Sequence, residues 1–369
     1  DEVFFIAARD DMRAMMKELI TEEAPVRRVV IAGAGNIGFR LAQTLDEENQ
    51  VKVIERDSKR ARKISEQLNN SIVLVGDAAD DIAIWRNPGD PSKSLIVGTD
   101  KKAGLHVYGI DGRERSFAGG GLLNNVDLVD LGPSGVVVVA SDRNDPLQAK
   151  LQAHRLNKDA GTLSPMGTIP VGPGESYGVC LSYIDFNLDL YAVLKDGRIE
   201  QLRSNERTGA VDPVLSRRVA TQAEGCVVDP RDGTLYVGEE NAGIWRFAAG
   251  SATGELVARV DNVQLVADVE GLAIAPEGEA GGYLVASSQG DNAYAVFRLP
   301  DMTPVGRFRI GQGTLGAVEE TDGIALDTGD FGPQFPGGLF IAQDGRNEPR
   351  AQNFKFVSWA AIKEALGLE

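Results

Sequence analysis

Acidic and polar residues recur along this chain at a nearly constant spacing of 46 to 52 residues. Each one is followed by a short apolar run, a turn and a second β-rich run. Carboxylates that such a repeat brings together cannot all stay ionised unless a cation neutralises them. Because the repeated positions hold neither His nor Cys, they predict a site for a hard divalent ion, with Ca²⁺ favoured over Mg²⁺. The recurring stretches are Asp80-Asp81, Asn125-Val126-Asp127, Tyr177-Gly178, Glu224-Gly225, Asp268-Val269-Glu270-Gly271 and Asp322-Gly323.

A repeat of this length with several strands per unit is typical of a β-propeller, in which each repeat forms one blade. The six repeats therefore predict six blades. The first strand of each blade lines the central channel, so residues at equivalent positions are expected to meet at one mouth. The alternative is that the Asp-Gly and Glu-Gly pairs only mark turns.

The charge of the chain excludes some classes of partner. Of the formal net charge of −16, residues 1–78 contribute −2 (12 Lys and Arg against 14 Asp and Glu), which leaves −14 for the rest. Such a surface repels nucleic acid and anionic membranes. No apolar run reaches the roughly 20 residues that span a bilayer. We expect a monomer, and a processed or excerpted chain, because no signal peptide is visible and the first residue is not Met.

The two cysteines, Cys180 and Cys226, lie in apolar strand runs of successive repeats. We expect buried free thiols at both positions, with a disulfide as the alternative.

The first 78 residues carry the pattern of a dinucleotide-binding unit. An apolar strand at 28–32 precedes the motif Gly33-Ala34-Gly35-Asn36-Ile37-Gly38 and a helix pattern, and a second strand at 51–54 ends in Glu55. Such glycines allow pyrophosphate to approach a helix N-terminus, and the acid meets a ribose hydroxyl. Gly33, Gly35, Gly38 and Glu55 are therefore the candidate NAD(H)-binding residues.

This segment resembles the nucleotide-binding domain of Trk-type potassium uptake regulatory proteins. The resemblance rests on the run from Arg28 to Gly38, on Ile54-Glu55-Arg56-Asp57 and on Val73-Leu74-Val75-Gly76-Asp77-Ala78. Only three of the expected parallel strands are present, so we favour a folded remnant or a fusion segment over a working NAD(H) site. The interpretation is a truncated α/β Rossmann-like segment over residues 1–78.

From about Gly76 onward the chain resembles the β-propeller, calcium-dependent alkaline phytases. The stretches that carry this resemblance include Gly76-Asp77-Ala78-Ala79-Asp80-Asp81, Gly98-Thr99-Asp100-Lys101-Lys102, Leu123-Asn124-Asn125-Val126-Asp127, Tyr236-Val237-Gly238-Glu239-Glu240, Ala286-Ser287-Ser288-Gln289-Gly290 and Phe340-Ile341-Ala342-Gln343-Asp344-Gly345. Both families carry Gly-Asp-Ala-Ala-Asp, and the two resemblances meet there without a flexible spacer, which predicts a fusion. Residues 79–369 are the predicted phytase domain.

The phytase resemblance implies a role for each motif residue. Catalytic calcium ions would be held by Asp80, Glu224, Glu240 and Glu270, with Asp268 and Gln289 beside them. Tyr177 would touch phosphate or metal-bound water, and structural calcium would be bound by Asp81, Asp322 and Asp344. Substrate phosphates would be held by Lys101, Lys102, Arg143 and Lys195.

These basic residues also have ordinary alternatives: a solvated turn for the lysine pair, a surface ion pair for Arg143 and a hairpin turn for Lys195. The resemblance is weakened by Ile82, which replaces an expected proline. It is also weakened by the loss of the segment before Asp80, which should supply a strand that closes the ring. We expect strand 72–75 to be able to replace that strand.

The resulting expectation is a calcium-dependent phytase that hydrolyses calcium–phytate, secreted or periplasmic, or cytoplasmic if the Trk-like segment reflects its context. The rival interpretations are a NAD(H)-binding regulatory subunit of a Trk potassium uptake system and a non-catalytic propeller scaffold.

Overall fold

The computed structural model describes residues 78–205, 209–312, 316–347 and 351–368, together with the backbone of three earlier strands. The chain divides into two compact units, the first comprising residues 1–55 and 59–73 and the second residues 56–58 and 74–369. Among the described residues, no helix has the length and hydropathy needed to cross a membrane.

The first unit contains a three-stranded sheet in the order β1 (Arg28–Ala32), β2 (Gln50–Ile54) and β3 (Ile72–Leu74). β1 and β2 are parallel, as predicted, with Val30 opposite Lys52. The expectation that strand 72–75 replaces a propeller strand is wrong, because β3 joins this sheet. The candidate NAD(H) residues Gly33, Gly35, Gly38 and Glu55 lie outside the described residues.

The second unit is a six-bladed β-propeller, as predicted. Five blades are antiparallel four-stranded sheets, and the sixth has three strands in the described part of the chain. Blade one consists of β4 (Ala79–Trp85), β5 (Leu95–Asp100), β6 (Gly104–Gly109) and β7 (Glu114–Gly119). Blade two consists of β8 (Leu123–Asp130), β9 (Val136–Asp142), β10 (Gln148–Asn157) and β11 (Thr162–Pro173). Blade three consists of β12 (Ser176–Ile184), β13 (Asn187–Leu194), β14 (Arg198–Ser204) and β15 (Val211–Arg218).

The remaining blades follow in chain order. Blade four consists of β16 (Ala223–Val228), β17 (Leu235–Glu239), β18 (Gly243–Phe247) and β19 (Gly254–Arg259). Blade five consists of β20 (Val269–Glu277), β21 (Gly281–Ser288), β22 (Ala293–Arg298) and β23 (Thr303–Phe308). Blade six consists of β24 (Ile324–Asp327), β25 (Leu339–Asp344) and β26 (Asn353–Ser358), followed by helix α1 (Trp359–Leu366).

The core is divided among the blade boundaries rather than gathered in one place. In the described residues a cluster of buried aliphatic and aromatic side chains lies between each pair of neighbouring blades. Val97 and Val138 belong to the cluster between blades one and two. Ile96 and Ile341 belong to the cluster that joins blade one to blade six. The second strands of blades one and two, β5 and β9, are buried along their whole length, whereas the outer strand β7 alternates between half-buried and exposed residues.

The boundary between blades six and one closes the ring without a chain connection in the described residues. There the Gly323 N–H donates to the Asp80 carbonyl (3.0 Å), and the Gln343 side chain donates to the Ala79 carbonyl (2.9 Å).

A disulfide links β12 to β16. The expectation of free thiols is wrong, because Cys180 and Cys226 are bonded, with Cα atoms 5.8 Å apart. Inner strands of neighbouring blades run side by side, so the 46-residue repeat places equivalent positions within bonding distance.

Candidate active site

One residue near the start of each inner strand forms the first ring of the channel mouth. In blades one to five the register of the inner strand shifts at this point, which is the mark of a β-bulge. A bulge bends the strand and redirects side chains, so polar groups can point to the mouth while the rest of the strand stays apolar. The first ring consists of Asp80, Asn124, Tyr177, Glu224, Glu270 and Asp322.

The glycine after four of these residues is required by the packing of the inner strands. A Cβ on Gly225 would lie 2.0 Å from the Glu270 carbonyl oxygen, and a Cβ on Gly178 would lie 1.9 Å from that of Glu224. Backbone therefore touches backbone, and only a residue without a Cβ fits. The alternative interpretation of the Glu-Gly pairs as turn markers is wrong, because these pairs lie within strands.

The second-blade member of the first ring is Asn124. The repeat placed Asp127 at this position, which is wrong by three residues. The Asp127 carboxylate instead accepts N–H bonds from Leu128 (2.7 Å) and Leu181 (2.8 Å). Burial raises the pKa of Asp127 to about 6, against the effect of those hydrogen bonds.

The residue after each second strand forms a second ring. In blades one to five the backbone N–H of this residue donates to the carbonyl directly before the inner strand of the same blade, as Arg143 does to Leu122 (2.8 Å) and Glu240 does to Gln222 (3.1 Å). At this position blades one to three carry a Lys or Arg, blade four carries a Glu and blade five carries a Gln. The second ring consists of Lys101, Arg143, Lys195, Glu240, Gln289 and Gly345.

Three carboxylates converge on the acidic side of the mouth. Glu224, Glu240 and Glu270 are buried, and one oxygen of each lies within 4.8 Å of the others. Burial, followed by repulsion among the carboxylates, raises the pKa of Glu270 well above its ordinary value. Burial likewise raises the pKa of Glu224 to about 7. Such groups stay protonated near neutral pH unless a cation replaces their protons.

The donor set fits a divalent metal ion. Among the described residues, Glu270 Oε2 and Asp80 Oδ2 are buried and accept no hydrogen bond. Buried carboxylate oxygens without donors are costly unless an ion takes them up. The ligands are all oxygen atoms, which a hard ion prefers. Glu224, Glu240 and Glu270 are thus the residues that would hold it, and Asp80, which lies outside this group, stays a predicted ligand.

Lys101 lies between two carboxylates of the first ring. Its Nζ is 2.8 Å from Asp80 Oδ1 and 2.8 Å from Asp322 Oδ2. Burial alone would lower the pKa of Lys101, but the two carboxylates raise it above its usual range. Gln289 donates to the other oxygen of Asp322 (2.6 Å). Asp322, predicted to bind structural calcium, therefore lies in the same group as Asp80.

The ring of Tyr177 makes cation–π contacts with Arg143 and Lys195. Arg143 Cζ is 4.9 Å and Lys195 Nζ is 5.1 Å from the centroid of its ring. Burial, and then the charges of Glu224 and its neighbours, raise the pKa of Tyr177 above its usual range, so the phenol keeps its proton.

Four predicted site residues, Asp268, Lys102, Asp81 and Asp344, take no part in the contacts described so far. Burial, and then the charge of Asp268, raise the pKa of Glu240 above its ordinary value, which places Asp268 near the cluster. Lys102 is exposed, next to Lys101. Asp81 is buried and accepts the Val126 N–H (3.0 Å), and burial raises its pKa to about 8.

Asp344 is already paired in the structure. Its Oδ2 lies 2.6 Å from Lys355 Nζ, and its Oδ1 accepts the Glu319 N–H (3.1 Å). Structural calcium at Asp81, Asp322 and Asp344 stays a prediction.

Sequence reasoning missed Asn124, Glu175 and Gln222. The Asn124 amide donates to Glu224 Oε1 (2.7 Å), and its oxygen accepts from Arg143 Nη1 (2.8 Å). Gln222 donates to Glu240 Oε1 (2.5 Å). Aligning the repeats on the small or apolar residue before each bulge would have found Asn124.

Comparison with known proteins gives matches over both parts of the chain. A family model described as "Phytase" matches residues 41–369. A 3-phytase of Bacillus subtilis (strain 168) is 36% identical over 331 residues, covering 83% of this chain and 86% of that protein. The family match begins inside the predicted first domain, earlier than the resemblance from Gly76.

The early segment has its own relatives. The Trk system potassium uptake protein TrkA of Vibrio alginolyticus is 54% identical over 80 residues, which are 22% of this chain and 18% of that protein. An auxiliary nutrient binding protein from Bacteroides thetaiotaomicron shares the fold, with a TM-score of 0.54 at 10% identity, over 76% of this chain and 69% of that one.

Proposed function

The chain belongs to the phytase family, and on that basis we propose that its channel mouth is a metal-dependent phosphoric monoester hydrolase site that acts on phytate. The observation that carries the proposal is the convergence of the Glu224, Glu240 and Glu270 carboxylates, one oxygen of each lying within 4.8 Å of the others. The family's 3-phytase from Bacillus subtilis supports the same substrate.

The charges of the site suit a polyphosphate. An acidic ring alone would repel phytate, but a bound cation reverses the local sign. Lys101, Arg143 and Lys195 then bind and orient the phosphates around the mouth. Tyr177, which keeps its proton, is available as a hydrogen-bond donor to a phosphate oxygen.

We propose Ca²⁺ as the ion, because a group of carboxylates without nitrogen or sulfur ligands suits its coordination. When bound, a divalent ion lowers the pKa of water and neutralises negative charge on phosphoryl oxygens. Glu224, Glu240 and Glu270 would hold the ion, and the three cations of the second ring, Lys101, Arg143 and Lys195, would hold the substrate. In-line attack by water needs no covalent nucleophile, and the described part of the mouth contains neither His nor a free Cys.

The test is phosphate release from phytate before chelation, after full chelation with EDTA, and after calcium is added back. We expect activity to disappear with EDTA and to return with Ca²⁺ but not with Mg²⁺. Activity that persists in EDTA would contradict the metal-dependent site.

For residues 1–78 we propose a Rossmann-like segment related to the Trk regulatory proteins. The 54% identity and the parallel pair β1 and β2 support it. Calorimetric titration of the whole chain with NADH tests whether this segment binds nucleotide. Heat at micromolar NADH would support the regulatory interpretation, and its absence would support a remnant.

For the propeller we propose a secreted or periplasmic location. The Cys180–Cys226 disulfide supports it, because such bonds persist in oxidising compartments.

A further inference from the structure

We propose that Glu175 is a positioning residue whose carboxylate holds Arg143 and Lys195 together above Tyr177 as a two-cation clamp for substrate phosphate. This inference rests on the proposed phytase function and adds a residue to its substrate-binding half.

The contacts of Glu175 join the two cations. Arg143 donates from Nε to Glu175 Oε1 (2.8 Å), and its Nη2 lies 2.7 Å from the same oxygen. Lys195 Nζ lies 3.8 Å from Glu175 Oε2. One carboxylate thus serves both basic side chains, one with each oxygen.

The two cations need such an anion to stay where they are. Both lie above the face of the Tyr177 ring, at 4.9 Å for Arg143 and 5.1 Å for Lys195. Two like charges over one ring repel each other, and both side chains are long enough to turn into solvent. The Glu175 carboxylate offsets the repulsion and restricts their rotamers.

Arg143 is fixed on a second side by Asn124, which accepts from Nη1 (2.8 Å). Arg has five N–H donors, and Glu175 and Asn124 use three of them, which leaves two for a phosphate. The guanidinium is therefore held in a defined plane and keeps two N–H donors for a phosphate, as bidentate phosphate recognition requires.

The same position in the next blade supports the second ring in the same way. Glu175 precedes the first-ring residue Tyr177 by two positions, and Gln222 precedes Glu224 by two. Gln222 donates to Glu240, the second-ring residue of its own blade (2.5 Å). Glu175 also accepts the backbone N–H of Lys195 with its carbonyl oxygen (3.1 Å). Two blades thus use this position to hold the second ring.

The test compares Glu175→Ala, Glu175→Gln and a matched control, Glu255→Gln, which removes an exposed carboxylate paired with Arg246 (2.8 Å) away from the mouth. The kinetic readout is kcat and KM for phosphate release from phytate at saturating Ca²⁺. The binding readout is the calorimetric Kd of myo-inositol hexasulfate, which needs no turnover.

We expect Glu175→Ala to raise both KM and the hexasulfate Kd by about tenfold, with kcat within about twofold of wild type. The KM and Kd of Glu175→Gln should lie between those of wild type and Glu175→Ala, because the amide oxygen still accepts a hydrogen bond from Arg143. The control should match wild type, and the unfolding midpoint should be the same in all variants. In an Arg143→Ala/Lys195→Ala background, Glu175→Ala should have no further effect.

A lower KM in Glu175→Ala would overturn the inference, because the carboxylate would then be a competitor of phosphate. An unchanged KM, or a full effect in the double-variant background, would also overturn it. These outcomes leave the phytase function intact when wild type is active. A wild-type protein that neither hydrolyses phytate nor binds hexasulfate would overturn the function and this inference together.

Discussion

Glu224 contacts three different kinds of neighbour in the channel mouth. Its Oε1 accepts a hydrogen bond from the Asn124 amide, and its carboxyl group forms a hydrogen bond with Glu270. The positive charge of Lys101 attracts it electrostatically. The residue thereby links the acidic side of the mouth to the cationic side. Burial, followed by the charge of Asp322, raises the pKa of Glu224 to about 7.

At the scale of single residues, Glu224→Gln tests the acidic cluster. The variant keeps the shape and an acceptor for Asn124 but loses one metal-binding charge. We expect kcat/KM for phytate to fall by roughly 100-fold or more, as when a key electrostatic group is removed from a catalytic site. Steady-state phosphate release at several Ca²⁺ concentrations measures it.

The matched control is Glu279→Gln, an exposed glutamate in the turn between β20 and β21. Wild-type activity in Glu224→Gln, with an unchanged circular dichroism spectrum, would show that the cluster is not the metal site.

The residues that the sequence identified are those whose type repeats. Asp80, Glu224 and Glu270 carry acids at the repeat spacing; Glu224 and Glu270 converge with Glu240, whereas Asp80 is paired with Lys101 and stays a predicted ligand. Asn124 escaped because it is neutral and because Asp127, three positions on, offers a carboxylate near the same spacing. Which of the two faces the mouth depends on the position of the bulge, and this is set by pairing with β9.

At the scale of elements, the bulged inner strands depend on their glycines. Gly225→Ala would place a Cβ 2.0 Å from the Glu270 carbonyl oxygen. Because both atoms that collide belong to backbones, the strands must separate, and we expect a loss of about 1–3 kcal/mol in the free energy of unfolding. Urea denaturation measures it.

Gly119→Ala is the control, because Gly119 ends the edge strand β7 and its Cβ would meet only Phe117 at 3.9 Å. Equal stability of the two variants would contradict the proposed close approach of the inner strands.

The disulfide between β12 and β16 gives a second prediction at this scale. By loop entropy, closing a 46-residue loop is worth up to about 4 kcal/mol, so Cys180→Ala/Cys226→Ala should unfold at lower denaturant concentration. Thiol titration of the denatured, unreduced wild-type protein should find no free thiol. Two free thiols per chain would contradict the bond.

Strand order within each blade could be read from the sequence, because antiparallel meanders follow chain order. The partner of β3 could not. Its three apolar residues suit either a propeller edge or the sheet that β3 joins, so their composition does not choose between the two. The disulfide was not predicted either, since the repeat spacing shows which positions are equivalent but not how far apart two cysteine side chains lie.

At the scale of the whole molecule, the buried acids make stability depend on pH and metal together. In the metal-free protein the pKa of Glu224 rises from 4.5 to about 7 and that of Asp81 from 3.8 to about 8. Between these values the folded state binds more protons than the unfolded state, so the free energy of unfolding falls as pH rises. The proposed Ca²⁺ would replace the proton of Glu224, so its stabilising effect would grow with pH.

We therefore expect the melting temperature in EDTA to fall between about pH 5 and pH 8. Added Ca²⁺ should raise it more at the upper end of this range than at the lower end. Differential scanning calorimetry at matched ionic strength measures both. A metal-free protein that becomes more stable across this range would show that the acids are not buried together.

In the described residues, non-covalent contacts rather than a connecting segment hold the last blade against the first. Gly323 bonds to the Asp80 carbonyl, and Lys101 of blade one reaches Asp322 before blade six. Lys101 is also the cation that a phosphate at this edge would attract. An anion that draws this ammonium group away from Asp322 breaks an ion pair between the first and the last blade. Binding of phosphate at the mouth and closure of the propeller are therefore energetically coupled through Lys101.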